Sequence, residues 1–281
     1  MTTAALALVL GSAFLHAAWN ALLKRERNLR EATLALQALT AVAGVVLALA
    51  GPRTSLGGWR VMAWGCAAGV CEAGYFLTLA AAFGRGSLGL AYTVARGGAL
   101  VLLWPISVVA FGEQVTAASI AGVVLLLAGL AATSTPSAAS SGRDGLGWAA
   151  LCAVCIAGYG LCYKEALSLG AMPMALFALS LSVSCPVVLV WRGRGGVAGI
   201  RRVLGERALP ILVASAMCTL SFVLILYALR SAGAGAVMTL RNTSVLFALA
   251  FAAAIGERPR TRQVLGGTLV VAGAVLVGWP R

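Results

Sequence analysis

The chain has 281 residues, of which 61% are hydrophobic and only 10% charged, and its mean hydropathy is +0.97. A soluble domain needs roughly 25% charged residues to wet its surface, so the composition excludes a water-soluble globule and makes the lipid bilayer the solvent. The formal net charge of +13 does not point to nucleic acid, because the basic residues are scattered between apolar runs instead of clustering with aromatics. Loop Lys and Arg are what the positive-inside rule asks for.

In lipid the backbone must satisfy its own polar groups, which leaves helices or closed barrels. A barrel needs short alternating segments, whereas the runs here are long and apolar on every face. The fold class is therefore read as all-α integral membrane. A span needs roughly 20 apolar residues, and ten runs qualify: 3–23, 32–51, 60–83, 87–111, 116–133, 146–168, 172–191, 208–230, 234–255 and 262–279.

The first run is preceded by no Lys or Arg between Met1 and Leu10, so it is expected to be a retained helix and not a cleaved signal. It carries the single histidine, His16, with Trp19 and Asn20 one turn on. The third run holds Glu72, Tyr75 and the close-packing pair Gly65 and Gly69. The fourth holds Tyr92 and, one turn later, Arg96. The sixth holds Tyr159, Tyr163 and Lys164, and the ninth holds Arg241 and Asn242. Between the fifth and sixth lies the Ser/Thr-rich stretch 134–145, and between the seventh and eighth the basic stretch Arg192–Arg207, both expected to be connections.

The second half repeats the first. GEQVTAASIAGVVLLLAG at 112–129 is echoed by GERPRTRQVLGGTLVVAG at 256–273, and AFGRGSLGLAYTVARGG at 82–98 by ALRSAGAGAVMTLRNTS at 228–244. Arg96 falls opposite Arg241 with one residue of slip. The expected domains are a first five-helix repeat at 1–133, a linker at 134–145 and a second five-helix repeat at 146–281.

Five helices per half is odd, so the halves should be inverted. The loop charges agree. In the first half, the loops after runs 1 and 3 hold Lys24, Arg25, Arg27, Arg30 and Arg85, against Arg53 and Arg60 after runs 2 and 4. In the second half the bias reverses, with Lys164 and Arg230 against Arg192, Arg194, Arg201, Arg202, Arg207, Arg258, Arg260 and Arg262. With Arg143 and Arg281 added, the richer face is read as cytoplasmic, which puts both termini outside.

HAAWNALLK (16–24), YFLTLAAAFGRGSLGLAYTVARGG (75–98) and the two Gly-Glu repeat ends resemble the EamA-type branch of the drug/metabolite transporter superfamily. That resemblance implies a ten-helix, two-repeat, exporter-like fold. Family members move amino acids, sugars, nucleotide sugars and other metabolites, so it does not name the cargo. The HAAWN opening with an arginine in the fourth run also resembles a subset associated with phosphonate utilisation.

A charge near mid-span costs roughly 2.5–3.5 kcal/mol on insertion scales and normally faces a bundle interior or a wet cavity. Arg96 and Arg241 are thus the leading substrate-binding candidates, since guanidinium forks pair with carboxylate, phosphate or phosphonate. The structural alternative is that each arginine is tied to helix-end carbonyls or a carboxylate and only locks the bundle. Glu72 is a candidate proton-coupling group, a candidate ligand for a substrate ammonium, or a counter-ion to Arg96. His16 is a candidate proton relay or a helix–helix hydrogen bond. Tyr92, Trp19, Asn20, Tyr75, Tyr159 and Asn242 complete the expected cavity lining, and Lys164 is expected to snorkel at a helix end.

Cys152 and Cys155 form a CxxC, and all seven cysteines fall in apolar runs; packing is the expected role and no metal is expected. Gly112-Glu113 and Gly256-Glu257 read as helix stops, with Thr116 and Thr261 capping the next helices. No nucleotide motif, HExxH or catalytic carboxylate pair appears, so no enzyme activity and no cofactor are expected. The expected partners are a small-molecule substrate and the lipid bilayer, with a monomer sufficient and a bacterial plasma membrane (the inner one if Gram-negative) as location. The rivals are an exporter of amino acids or cationic amphipathic drugs, an integral membrane enzyme acting on lipid-linked substrates, and a non-transporting scaffold. For topology the expected outcome is specific: a phosphatase reporter fused after Arg281 is active, and one inserted between Lys24 and Arg30 is inactive.

Overall fold

The computed structural model describes residues 1–23, 25–50, 57–85, 88–133, 143–254 and 261–278, with the side chains of 83, 84, 88–93, 133, 143, 144, 194, 252, 254 and 278 outside that description. Among the described residues every element is helical: α1 (Thr3–Leu23), α2 (Leu29–Ala50), α3 (Trp59–Arg85), α4 (Leu88–Phe111), α5 (Ala117–Thr133), α6 (Arg143–Ser168), α7 (Pro173–Arg192), α8 (Arg194–Ser231), α9 (Ala234–Arg241), α10 (Ser244–Ala254) and α11 (Thr261–Gly278). Among the described residues, eight spans are long and apolar enough to cross a membrane, and two shorter apolar helices are Ala117–Ala132 and Thr261–Val277. The chain is a multi-pass membrane protein.

Two elements depart from the sequence reading. The run 234–255 is not one helix: α9 stops at Arg241, Asn242 and Thr243 form a turn, and α10 starts at Ser244. The amides of Asn242, Thr243, Val245 and Leu246 each bond three residues back, at 2.9–3.1 Å. Broken backbone inside a membrane is tolerated only where it is buried in protein or lines a cavity.

The stretch Arg192–Arg207, expected as a connection, is largely helical. Ile200, Val203 and Leu204 pack on the core while Arg201 and Arg202 stay exposed, an amphipathic spacing. Arg207 leaves helical geometry (φ −139°, ψ 36°) and divides α8 there. Arg202–Glu31 at 3.4 Å and Arg207–Glu26 at 3.2 Å pin this segment to α2 and to the α1–α2 connection.

The packing is related by exchange of the halves. α3 lies on α6 as α1 lies on α8; α3 lies on α7 as α2 lies on α8; α4 lies on α6 as α1 lies on α9 and α10. The repeat-equivalent helices also meet each other. A Cβ on Gly122 would come 2.7 Å from the Gly273 carbonyl, and one on Gly129 would come 2.6 Å from that of Gly266. Rising number on α5 therefore meets falling number on α11, so the two run antiparallel.

The same holds for α2 and α7, where Gln37 bonds Ser184 at 2.8 Å and Gly44 faces Phe177 and Ala178. Gly65 and Gly69 admit α7, a Cβ on Gly65 meeting Leu179 and one on Gly69 meeting the Ser180 carbonyl. The absent side chains are what let these backbones touch, since lipid supplies no hydrophobic drive between helices.

Thr116 caps α5 as expected: its Oγ1 accepts from the Ser119 amide (3.2 Å), and Ser119 Oγ accepts from the Thr116 amide (2.9 Å). Thr261 opens α11, whereas Glu257 lies outside the described residues. Gly122→Leu should lower the unfolding midpoint in detergent, with overpacking costing about 1–3 kcal/mol. Gly147→Leu, whose Cβ meets open space, should leave the midpoint nearly unchanged.

Candidate functional site

Most of the polar groups singled out in the sequence converge where α1, α3, α4, α6, α8 and α9 meet. Arg96 descends from α4, is only 7% exposed, and places Nη2 on Nε2 of His16 from α1. Beside it is a small pocket of about 10 Å³, roughly the room one water needs, lined by Arg96, Asn242, Met238, Ile156 and three residues of α4, Ala99, Leu100 and Leu103. The pocket thus has one cation and one amide in otherwise apolar walls. Asn242 reaches it because α9 ends there.

Arg241 ends α9 and is 2% exposed. Its guanidinium lies over the Phe222 ring, 4.8 Å from the centroid, and Phe222 in turn stacks on Phe177 at 5.6 Å. A desolvated cation–π contact contributes about 2 kcal/mol, yet Nε and Nη2 of Arg241 have no hydrogen-bond partner. Buried donors left in this state are rare and call for an acceptor. Arg241 and Arg96 lie within electrostatic reach of each other and of Tyr159.

Glu72 is 1% exposed, and neither carboxylate oxygen has a hydrogen-bond partner. The hydroxyls facing it, those of Tyr163 and Ser180, bond to each other at 2.6 Å instead. Glu72 makes no ion pair among the described residues, and the guanidinium within its reach is that of Arg241. The reading of Glu72 as counter-ion to Arg96 is thus not what the geometry shows.

Of the other expected lining residues, Trp19 is buried and meets His16 edge-on at 5.1 Å. Tyr75 and Tyr159 are buried neighbours with ring centroids 6.0 Å apart. Asn20 turns to the outside, its amide donating to the His16 carbonyl at 2.6 Å, so it does not join the cluster. The side chain of Tyr92 lies outside the description. Cys155 and Cys71 pack their sulfurs against Gly74 and Gly158 at the α3–α6 contact, and no group of metal-binding residues occurs among the described residues.

Sequence reasoning missed one polar junction. Glu113, read as part of a helix stop, lays its carboxylate on the N-terminus of α9. Its Oε1 accepts from the Gly235 amide at 3.1 Å and from Ser107 Oγ, and Ser107 Oγ accepts from the same amide at 3.1 Å. A Cβ on Gly233 would come 2.5 Å from that carboxylate, so glycine there makes the cradle. A carboxylate at a helix N-terminus meets both the orphan amides and the favourable end of the dipole.

Next to it, Lys164 caps α8 by donating to the carbonyls of Leu229 (2.9 Å) and Ala232 (2.8 Å). It is a helix cap, where snorkelling was expected. The only signal in the sequence was the pairing of Ser107 and Glu113 with a glycine-flanked α9, residues that lie more than 120 positions apart.

Residues 143–279 match the EamA-like transporter family. None of the curated proteins searched matches the sequence. A solved structure described only as "Crystal structure of protein" superposes with a TM-score of 0.71 at 17% identity, covering 99% of this chain and 97% of its own. At that identity the likeness concerns the fold.

Lys164→Met or Glu113→Ala should each lower the thermal unfolding free energy by about 1–3 kcal/mol, the cost of stranding buried polar partners. Lys164→Arg should recover part of the loss, because a guanidinium can still cap the two carbonyls.

Proposed function

We infer, from a chain that carries an EamA-like transporter domain over residues 143–279, that it moves a small polar metabolite with an anionic group across a membrane. The family is one of transporters, so transport and not catalysis is the starting point. The observation that carries the anion is Arg241, a fully buried guanidinium with two donors that have no acceptor. It stands within reach of Arg96, which opens on the pocket. A carboxylate, phosphate or phosphonate supplies what that geometry lacks, paired oxygens for planar forks.

The proposed transport is secondary and works by alternating access. The antiparallel contacts of α5 with α11 and of α2 with α7 support two inverted halves, at 1–133 and 146–281, that rock about a midplane site. Arg96 comes from the first half and Arg241 from the second, so the bound anion bridges them. The Glu113 contact with Gly235 joins the halves at one end and must be remade in each cycle. A monomer holds the complete site. The charge asymmetry of the loops supports a bacterial plasma membrane with both termini outside.

The rival in which Glu72 recognises an amine, as in an amino-acid or cationic-drug exporter, draws on the unpartnered Glu72 carboxylate. The two readings separate in one thermal-shift series on detergent-purified protein. A ligand at 100 times its Kd stabilises the folded state by about 2.7 kcal/mol. A small carboxylate or phosphonate is expected to shift wild type, and Arg96→Ala and Arg241→Ala are expected to abolish the shift. If only cations shift the protein and Glu72→Gln removes their effect, the anion reading is wrong.

A further inference from the structure

We propose that the anion occupies this site together with a proton carried by His16, an inference that rests on the anion reading above. The starting point is chemical. A guanidinium has five N–H donors and no acceptor. The contact between Arg96 Nη2 and His16 Nε2 therefore requires a lone pair on Nε2, which makes His16 neutral with its proton on Nδ1. Nδ1 is buried and has no hydrogen-bond partner. In the state described, His16 thus stands in for the acceptor that an anion would provide.

The surroundings of His16 are one-sided. Arg96 from α4 and Arg241 from α9 are the charges that act on it. α10 carries no ionisable residue. In and beside α2, Glu31 and Glu26 are spent on Arg202 and Arg207 at the edge of the protein. On α8 the ionisable group of the cluster is Cys218, which faces Arg241, and Trp19 on α1 itself covers the ring without a charge. Among the described residues the imidazole is thus faced by two cations and by no carboxylate.

An arriving anion changes both terms. Its charge offsets one of the two cations, and its oxygens accept from Arg96 in place of Nε2. The freed lone pair then takes a proton, and Nε2–H becomes a donor to a second anion oxygen. One Arg96–His16 hydrogen bond is exchanged for one from Arg96 and one from His16, both to the anion; one proton and one anion are taken up. By linkage, if the anion raises the proton affinity of His16, the proton raises the affinity for the anion by the same factor. Binding tightens as pH falls through the range between the empty and loaded titrations, by at most about tenfold per pH unit for one proton. For a monoanion the pair is electroneutral.

The test uses probes whose own charge is constant between about pH 6 and pH 8, namely methanesulfonate and butyrate. Binding to the purified full chain is followed by calorimetry in buffers of different ionisation enthalpy, which counts protons directly on wild type. The expected result is uptake of up to one proton per anion and an affinity that rises toward low pH. His16→Gln, which keeps an acceptor for Arg96 but cannot titrate, should bind more weakly at low pH and show no slope. If wild type binds either probe with no proton uptake and a flat pH profile, the proton inference is overturned while the anion reading stands. Retention of the slope by His16→Gln, or its loss in Glu72→Gln instead, also overturns it, the latter by placing the proton on Glu72. If neither probe binds wild type at any pH, the anion reading falls and the proton inference with it.

Discussion

Water is absent from the middle of a bilayer, so every polar group placed there must find its partner inside the protein or in its cargo. This constraint organises the molecule. It makes the backbone helical throughout the described residues, and it gives Lys164, Glu113, Ser12 and Gln37 defined partners across helix contacts. It also isolates the few groups that remain unanswered. Arg241 and Glu72 are the buried charged side chains with orphaned atoms, and they lie within reach of each other at the helix junction where Arg96 opens on the pocket. His16 Nδ1, Trp19 Nε1, Gln37 Oε1, Thr40 Oγ1 and Ser244 Oγ are buried without a hydrogen-bond partner as well.

The junction is positioned by close backbone packing. Glycines on α5 and α11 let equivalent helices of the two halves touch main chain to main chain. Gly65 and Gly69 do the same for α3 on α7, and small cysteine and glycine side chains do so for α3 on α6. Between them α4 packs on α6 and α9, which brings Arg96 and Arg241 within electrostatic reach of each other. At the far end of α9 the Glu113 carboxylate ties the α8–α9 turn to α4 and the segment that follows it, and the Lys164 cap ties it to α6. The helix that carries Arg241 is therefore anchored at one terminus and broken at the other.

Much of this was legible in the chain. Run lengths and apolarity located the helices, because a span must be long and continuous to cross hydrocarbon. The echo of 112–129 in 256–273 was visible as a repeat, but that the two segments pack on each other as α5 and α11 was not. Arg96, Arg241, Glu72 and His16 were conspicuous because charge and imidazole are expensive in such runs. The break after Arg241 was not legible, since nothing in RNTS forbids a continuing helix. The helix in Arg192–Arg207 was obscured by its glycines and arginines, whose amphipathic spacing matters only once there is a core to lie on.

The sequence by itself determined the solvent, the helical class and the identity of the buried charges, all of which follow from composition and local periodicity. The tertiary structure alone decided which groups meet. His16 and Arg96 are 80 residues apart, Glu113 and Gly235 are 122 apart, and no local pattern encodes a partner at that distance. It also decided that Asn20 faces outward while Asn242 faces the pocket, because the face a helix buries depends on which helices pack against it.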